Sequence, residues 1–291
     1  MIHILENEHI RIAISEKGAE LQSFFDKTSG LEIMWEGDPK VWGKKSPVLF
    51  PIVGTLKDNT FFYNNQSYPL TRHGFARDMQ FSAQKPNSNT IQLTLFSNAD
   101  TLKIYPFEFE FSLNYTIEEN TCYVTYEIKN QGSDPMFFSV GGHPAFKVPL
   151  FAGEAYDDYQ LLFDTEEDAQ RWVISPEGLI ENQSVPFLKE SSLLPLSKDL
   201  FLQDAIVLKN LKSNSVKLIS RHNQKGLEFN FVGFPYLGLW AAPGGNFICI
   251  EPWCGIADSV NFNQQLSEKE GIVKLAPLES FSRTWSVTTF L

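Results

Sequence analysis

The stretch Phe107-Glu108-Phe109-Glu110-Phe111-Ser112-Leu113-Asn114-Tyr115-Thr116-Ile117 decides the fold. Its large apolar residues occupy every odd position and its polar residues every even one. Successive side chains of a strand point to opposite faces, so this period of two gathers the apolar set on one face. A helix, with its period of 3.6, would scatter the same residues around its axis. The pattern recurs at Ile10/Ile12/Ile14, Ile91/Leu93/Leu95, Cys122/Val124/Tyr126/Ile128 and Leu227/Phe229/Phe231. Near the C-terminus Phe281, Trp285 and Val287 share a face with Arg283. Turn-forming residues lie between these runs, at Asn64-Asn65, Asn87-Ser88-Asn89, Asn130-Gln131-Gly132-Ser133 and Pro243-Gly244-Gly245, where hairpin connections are expected. Long amphipathic helical patterns are missing. The expectation is an all-β protein.

Composition agrees. Aromatic residues make up 14% of the 291 residues and include 25 Phe, side chains that suit a pleated, half-buried surface. Hydrophobic residues at 43% against charged residues at 20% are enough to build a large core. No composition shift, linker or repeat divides the chain, so residues 1–291 read as a single domain. The segment from Glu154 to Asp199 is the least regular. Its two acidic clusters and three prolines predict long surface connections with short helical turns.

The net charge of −11 repels phosphate backbones and anionic lipid, which makes nucleic acid and membrane poor partners. Met1 to Ile14 has neither the basic start nor the apolar run of a signal peptide, and no stretch reaches transmembrane length. Three cysteines, Cys122, Cys249 and Cys254, are an odd number without metal-ligand spacing. These features predict a cytoplasmic protein without a disulfide framework or a zinc site.

Two of the five histidines lie among glycines and prolines, in Arg72-His73-Gly74-Phe75-Ala76-Arg77 and Gly141-Gly142-His143-Pro144. Glycine lets backbone approach a ligand closely, and functional side chains favour loops on a rigid scaffold. A hydrogen-bonded structural histidine is the commoner use of an isolated one. His3, His9 and His222 have no such context. Glu251 ends the apolar run Phe247-Ile248-Cys249-Ile250 and precedes Pro252-Trp253. Burial there raises a carboxyl pKa and makes it a better proton acceptor; a turn cap or an arginine partner is the structural alternative. Asp204 begins another apolar run, where it suits either sugar hydroxyls or a turn. Trp240 and Trp253 suit stacking on a sugar face or packing in a core. Phosphate-binding loops, dinucleotide fingerprints, His-Glu-x-x-His and the serine elbow are all missing. What survives is two histidines and one or two carboxylates on a β scaffold, a set suited to proton transfer on a polyol without a cofactor.

Taken in chain order, Gly54, Arg72-His73-Gly74-Phe75-Ala76-Arg77, Gly142-His143-Pro144-Ala145-Phe146, Asp204 and Ile250-Glu251-Pro252-Trp253 resemble the galactose mutarotase-like (aldose 1-epimerase) superfamily. Glu268-Lys269-Glu270-Gly271-Ile272 and Leu275-Ala276-Pro277 are similar to its LacX-like branch. The resemblance implies a β-supersandwich of large antiparallel sheets with a sugar in an open cleft and no metal or coenzyme. It implies Glu251 as general base, His143 as general acid, His73 near the ring oxygen and Asp204 on sugar hydroxyls. Many members carry an arginine directly after the glycine matched by Gly54, where this chain has Thr55-Leu56-Lys57, so Lys57 is the substitute candidate. Arg77, in a His-Gly-Phe-Ala-Arg string, also resembles the hexose-6-phosphate 1-epimerase branch. No phosphate-gripping arginine cluster stands out in the sequence, so a free aldohexose is the expected substrate. The rivals are a hexose-6-phosphate 1-epimerase, a glycoside hydrolase with paired carboxylates, and a non-catalytic sugar-binding or sensing protein.

Overall fold

In a computed structural model describing residues 1–291, the deciding stretch forms the strand Phe109–Glu118. Phe109, Phe111, Leu113, Tyr115 and Ile117 are all at most 1% exposed. The strand pairs antiparallel with Thr121–Asn130 in unbroken register, and with Thr90–Phe96 on its other side. Thr121–Asn130 pairs in turn with Ser280–Phe290, which sets Val124 opposite Trp285 and Tyr126 opposite Arg283.

These strands belong to a 15-stranded sheet. From Ser82–Asn87 at one edge, its order runs through Thr90–Phe96, Phe109–Glu118, Thr121–Asn130, Ser280–Phe290, Gly226–Asn230 and Ser215–Ser220. It continues through Tyr159–Ile174, Ile206–Lys209, Tyr236–Trp240, Phe247–Cys254 and Val140–Gly142 to Val48–Leu49. Ala145–Lys147 adds to Phe247–Cys254, and Ile180–Pro195 adds to Tyr159–Ile174. A four-stranded sheet, Ile2–Glu6, Ile10–Ser15, Leu21–Asp26 and Leu31–Glu32, is tied to the large one by polar contacts at its margins. Tyr115 donates to the Ala19 carbonyl at 2.6 Å, and Thr289 donates to Asp26 at 2.6 Å. The chain therefore has the all-β, large-antiparallel-sheet architecture expected of it. One core cluster of 70 buried residues reaches from Leu5 to Val287, and on that ground we propose that residues 1–291 fold as one domain.

Three of the four turn signals join hairpins as expected. Asn64 and Asn65, with φ of 49° and 60°, connect Thr60–Tyr63 to Gln66–Pro69, the left-handed pair a two-residue hairpin turn requires. Asn130-Gln131-Gly132-Ser133 departs from expectation. It leads out of the large sheet into Met136–Phe138, which pairs with Val273–Leu275 in a separate two-stranded sheet.

The segment from Glu154 to Asp199 is the larger correction. It contains the two longest strands, Tyr159–Ile174 and Ile180–Pro195, of 16 residues each. Only Tyr159, Leu161 and Phe163 alternate cleanly, and irregularities in pairing interrupt the register four times beyond them. Beyond Ile180, which also bridges to Ser259, Ile180–Pro195 is bonded on one side only, so Pro186, which has no N–H to give, is tolerated there. Its Glu181, Lys189 and Glu190 charge that edge and discourage pairing with another chain.

The core also fixes the loop that carries His73. Phe50 stacks on Phe111 with centroids 4.5 Å apart and meets Phe109 at 5.1 Å. Its carbonyl accepts the N–H groups of Phe75 and Ala76, both at 3.1 Å. Gly74 adopts φ +70°, and a Cβ there would lie 2.3 Å from that same carbonyl oxygen. Only glycine permits both the left-handed backbone and the close approach.

Candidate active site

A cavity of about 500 Å³ opens over the end of the large sheet formed by Tyr236–Trp240, Phe247–Cys254 and Val140–Gly142. His73, Arg77, His143, Asp204, Glu251 and Trp253 all line it, together with Trp240. Residues far apart in the chain thus converge on one site.

Strand register makes the central contact. Gly141 pairs with Trp253 and Ala145 with Cys249, so His143 stands across from Glu251 in the same register. Pro144 supplies no N–H, and the partner strand breaks there into Val140–Gly142 and Ala145–Lys147. His143 Nε2 lies 3.4 Å from Glu251 Oε2. Glu251 sits within the strand Phe247–Cys254, not at its end as the sequence suggested, and is 1% exposed. Gly238 faces it and Gly141 lies nearby; a Cβ on either would collide with the Trp253 indole, at 2.4 and 2.7 Å respectively. The two glycines make the bed in which that indole lies.

Burial dominates the electrostatics. It pushes the Glu251 carboxyl well above the usual carboxylate range, with Arg72 working against the rise and Asp204 adding to it. It pushes the His143 imidazole down to about 3, and Arg72 and Arg77 press the same way. Both shifts disfavour charge, so burial favours a neutral carboxyl beside a neutral imidazole. His143 Nδ1, Glu251 Oε2 and Trp253 Nε1 are buried without hydrogen-bond partners, three polar atoms available to a ligand in the cleft.

His73 differs from His143. Its φ is 68°, and its Nδ1 accepts the Gly54 N–H at 3.1 Å while its own N–H donates to the Gly54 carbonyl at 2.9 Å. Acceptance at Nδ1 assigns the ring proton to Nε2, so this ring is a neutral donor. Burial, with His143, Arg72 and Arg77 adding to it, holds His73 well below the usual imidazole value. The two rings meet edge to face with centroids 5.8 Å apart.

Asp204, at φ 82°, receives the Ala205 N–H at 2.7 Å on one carboxylate oxygen and stands 3.8 Å from the Arg72 guanidinium. Lys57 is not brought to the cleft. Its N–H donates to Asp258 and its ammonium turns to the Phe262 carbonyl at 3.4 Å. Arg72 stands in its place, in the cavity wall beside His73. Arg72 adjoins the His73 motif in sequence, but nothing there marks it as the residue that faces the cleft.

The sequence also gave no sign of Trp42 or Lys44. Trp42 stacks on His143 at 5.0 Å and meets Trp240 edge-on at 5.4 Å, forming an aromatic wall. Lys44, Arg72 and Arg77 all line the cavity, although no phosphate-gripping arginine cluster stood out in the sequence. Residues 44 and 72 to 77 meet only in the fold. As for metal, His143, Cys249 and Glu251 each bring a donor atom within 4.8 Å of the others. They are the set able to hold an ion, and proton transfer between Glu251 and His143 requires none.

Comparison with known proteins shows the family of the chain. The family model for aldose 1-epimerase matches residues 1–273. The plasmid-encoded protein LacX of Lactococcus lactis subsp. lactis is 36% identical over 293 residues, covering 98% of each chain. The crystal structure of a galactose mutarotase related enzyme from Lactobacillus acidophilus superposes with a TM-score of 0.95 at 34% identity, over 100% of this chain and 98% of that one. A galactose mutarotase-like protein from Lactobacillus casei gives 0.94 at 30% identity over the whole of both chains. From its sequence, its fold and the residues of its cleft, the chain belongs to the aldose 1-epimerase family.

Proposed function

We propose that this protein is an isomerase of the mutarotase type, interconverting the α and β anomers of an aldohexose by opening and reclosing the pyranose ring. The observation that carries the reading is the contact of Glu251 with His143 at 3.4 Å in the wall of the cleft. The two oxygens that exchange protons in this reaction, the anomeric hydroxyl and the ring oxygen, share one carbon, and an adjacent base and acid suit them.

In the working tautomer Glu251 is ionised and His143 carries the shared proton. Glu251 takes the anomeric hydroxyl proton as the carbonyl forms, the bond from the anomeric carbon to the ring oxygen breaks, and His143 protonates that oxygen. The pair now holds its proton on Glu251. Rotation next to the carbonyl presents the other face. Reclosure runs the transfers backward: Glu251 protonates the carbonyl oxygen while His143 takes the hydroxyl proton, which restores the starting tautomer. His73, a neutral donor through Nε2, steadies charge on the ring oxygen. Asp204 and Arg72 hold hydroxyls, and Trp253, Trp240 and Trp42 receive the apolar sugar face.

A ring hemiacetal is the only group the chemistry needs, so a free aldohexose is the minimal substrate, and no cofactor enters. The close partner of Glu251 is a histidine, not a second carboxylate, which speaks against the hydrolase. Three unpaired cysteines support a cytoplasmic setting, and no helix is long and apolar enough to cross a membrane. The test is polarimetry on freshly dissolved α-glucose and α-galactose. Faster decay to the equilibrium rotation supports an epimerase; sugar binding with an unchanged decay rate leaves a binding protein.

A further inference from the structure

Glu268-Lys269-Glu270-Gly271-Ile272 stood out in the sequence, yet none of its residues lines the cleft. Its lysine belongs to the most deeply buried ion pair of the molecule. Lys269 Nζ meets Asp258 Oδ1 at 2.6 Å, and the two side chains are 1% and 0% exposed. Asp258 does not line the cleft either. Apolar side chains of similar volume often serve a buried position as well as an ion pair does, so stability alone does not account for these two charges. What they have that apolar residues lack is a set of directed bonds.

The bonds of Asp258 run to the back of the cleft wall. Its N–H donates to the Thr55 carbonyl at 2.9 Å, and its carbonyl accepts the Ile180 N–H at 2.8 Å. Oδ2, the oxygen that Lys269 leaves free, accepts the Lys57 N–H at 2.9 Å. Thr55 and Lys57 belong to the loop that carries Gly54. Next to Asp258 in the chain, Ala257 presses on that glycine: a Cβ at Gly54, whose φ is +74°, would lie 2.5 Å from the Ala257 Cβ. Gly54 in turn holds His73 at two points, through Nδ1 and through the backbone N–H. From Lys269 to the His73 ring, each step is a covalent bond or a hydrogen bond no longer than 3.1 Å.

Lys269 is what lets Asp258 hold this position. A fully buried carboxylate without a cation takes up a proton or turns toward water, and either change disturbs the acceptor that the Lys57 N–H meets. We propose that Asp258 and Lys269 are positioning residues. Their ion pair fixes the Gly54 loop, and the loop fixes the His73 ring with its proton on Nε2, where it donates into the cleft. Neither residue touches the sugar. The proposal rests on the epimerase reading for what that donor does. A misplacement of about 1 Å, caused far from the chemistry, can cost about 10²-fold in rate, so a shared loop is enough to couple the pair to turnover.

The experiment compares the full chain with the double variant Asp258→Leu with Lys269→Met, which keeps apolar volume in place of the pair and leaves no lone charge. Two readings are taken: ¹⁵N shifts of the His73 ring without sugar, and kcat and KM for anomer exchange of glucose and galactose by NMR. The wild type should show one protonated and one unprotonated nitrogen at His73. In the variant the two signals should draw together as both tautomers populate, while His143, placed by strand pairing, keeps its own. The expected kcat is about tenfold lower with KM changed by less than about twofold, because the donor acts on charge that develops in the transition state. A pair that only stabilises the fold would lower the urea midpoint and leave the ring and kcat of the folded variant as they were, which overturns the proposal. A fall in kcat with an unchanged ring, or a changed ring with an unchanged kcat, overturns it as well. If the double variant does not fold, Asp258→Asn with Lys269→Met decides by the same readings, with kcat about threefold lower because a neutral oxygen accepts less strongly than a carboxylate. A wild type that exchanges no anomers overturns the epimerase reading, and the His73 signals, which need no turnover, still decide whether the pair sets the ring.

Discussion

Replacing Glu251 by Gln keeps the side chain's shape and removes two things at once. The first is the base itself, worth about 10²–10⁴-fold, or about 3–5 kcal/mol of barrier. The second is the charge that makes a proton on His143 tolerable. At the 3.4 Å separation of the pair, with an effective dielectric of about 20, the attraction is about 5 kcal/mol. In the wild type burial lowers the His143 imidazole to about 3, and only an ionised Glu251 at this distance would favour its protonated form. In the Gln variant nothing offsets that burial, so His143 should stay neutral through the working range and the general acid is lost with the base.

The expected rate is therefore near the bottom of the range, about 10⁴-fold below wild type. Polarimetry from pure α-glucose, corrected for spontaneous mutarotation, and ¹⁵N shifts of the His143 ring read the two effects separately. The fold should survive, because Glu251 Oε2 makes no hydrogen bond whose loss would matter. Residual activity above about a tenth would remove Glu251 as the base. A His143 ring that titrates near its unperturbed value of about 6.5 in the variant would refute the claim that burial controls it.

Three further outcomes follow from the same geometry. His143→Asn should cost more than His73→Asn in kcat, because an Asn oxygen can still accept the Gly54 N–H and only the Nε2 donor is lost at His73; the reverse order in steady-state kinetics exchanges their roles. Arg72→Met should move both limbs of the kcat/KM profile to higher pH, since its charge lowers both the Glu251 and the His143 pKa; a profile that stays put or moves to lower pH contradicts the assigned electrostatics. Lys269→Met should lower unfolding stability by about 3–5 kcal/mol in urea titration, because it leaves Asp258, paired with it at 2.6 Å and fully buried, without its cation; a loss below about 1 kcal/mol means that the pair only breaks even.

The sequence carried the fold well where one face of a strand is buried and the other is not. Phe107 to Ile117 is such a place, since alternation there records burial directly. It failed at Tyr159–Ile174 and Ile180–Pro195, where irregular pairing breaks the period and an edge position admits proline and charge. The candidate site was legible to the extent that a local motif marked it. His73 and His143 stood out by their glycines and Glu251 by its apolar neighbours. Lys44 and Trp42 were not legible as site residues, because their loop is brought to His143 only by the fold. Lys57 misled for the same reason: proximity to Gly54 in the chain does not set where a long side chain turns.

Burial is also the cause of the chemistry, and it acts with opposite sign on the two partners. It raises Glu251 and lowers His143, so neither isolated charge is stable, yet the contact between them makes the ion pair accessible. The active protonation state is the pair with one proton. It fails only when a second proton is forced on or the last one is removed. The acid limb should accordingly fall below the ordinary histidine value and the alkaline limb above the ordinary carboxylate value. With both groups buried, raising one partner's charge without the other's is the costly move, so the limbs belong to the pair. The consequence is a profile whose two limbs report the pair together, and the shared proton lets the same two side chains serve as base and acid in one direction and as acid and base in the other.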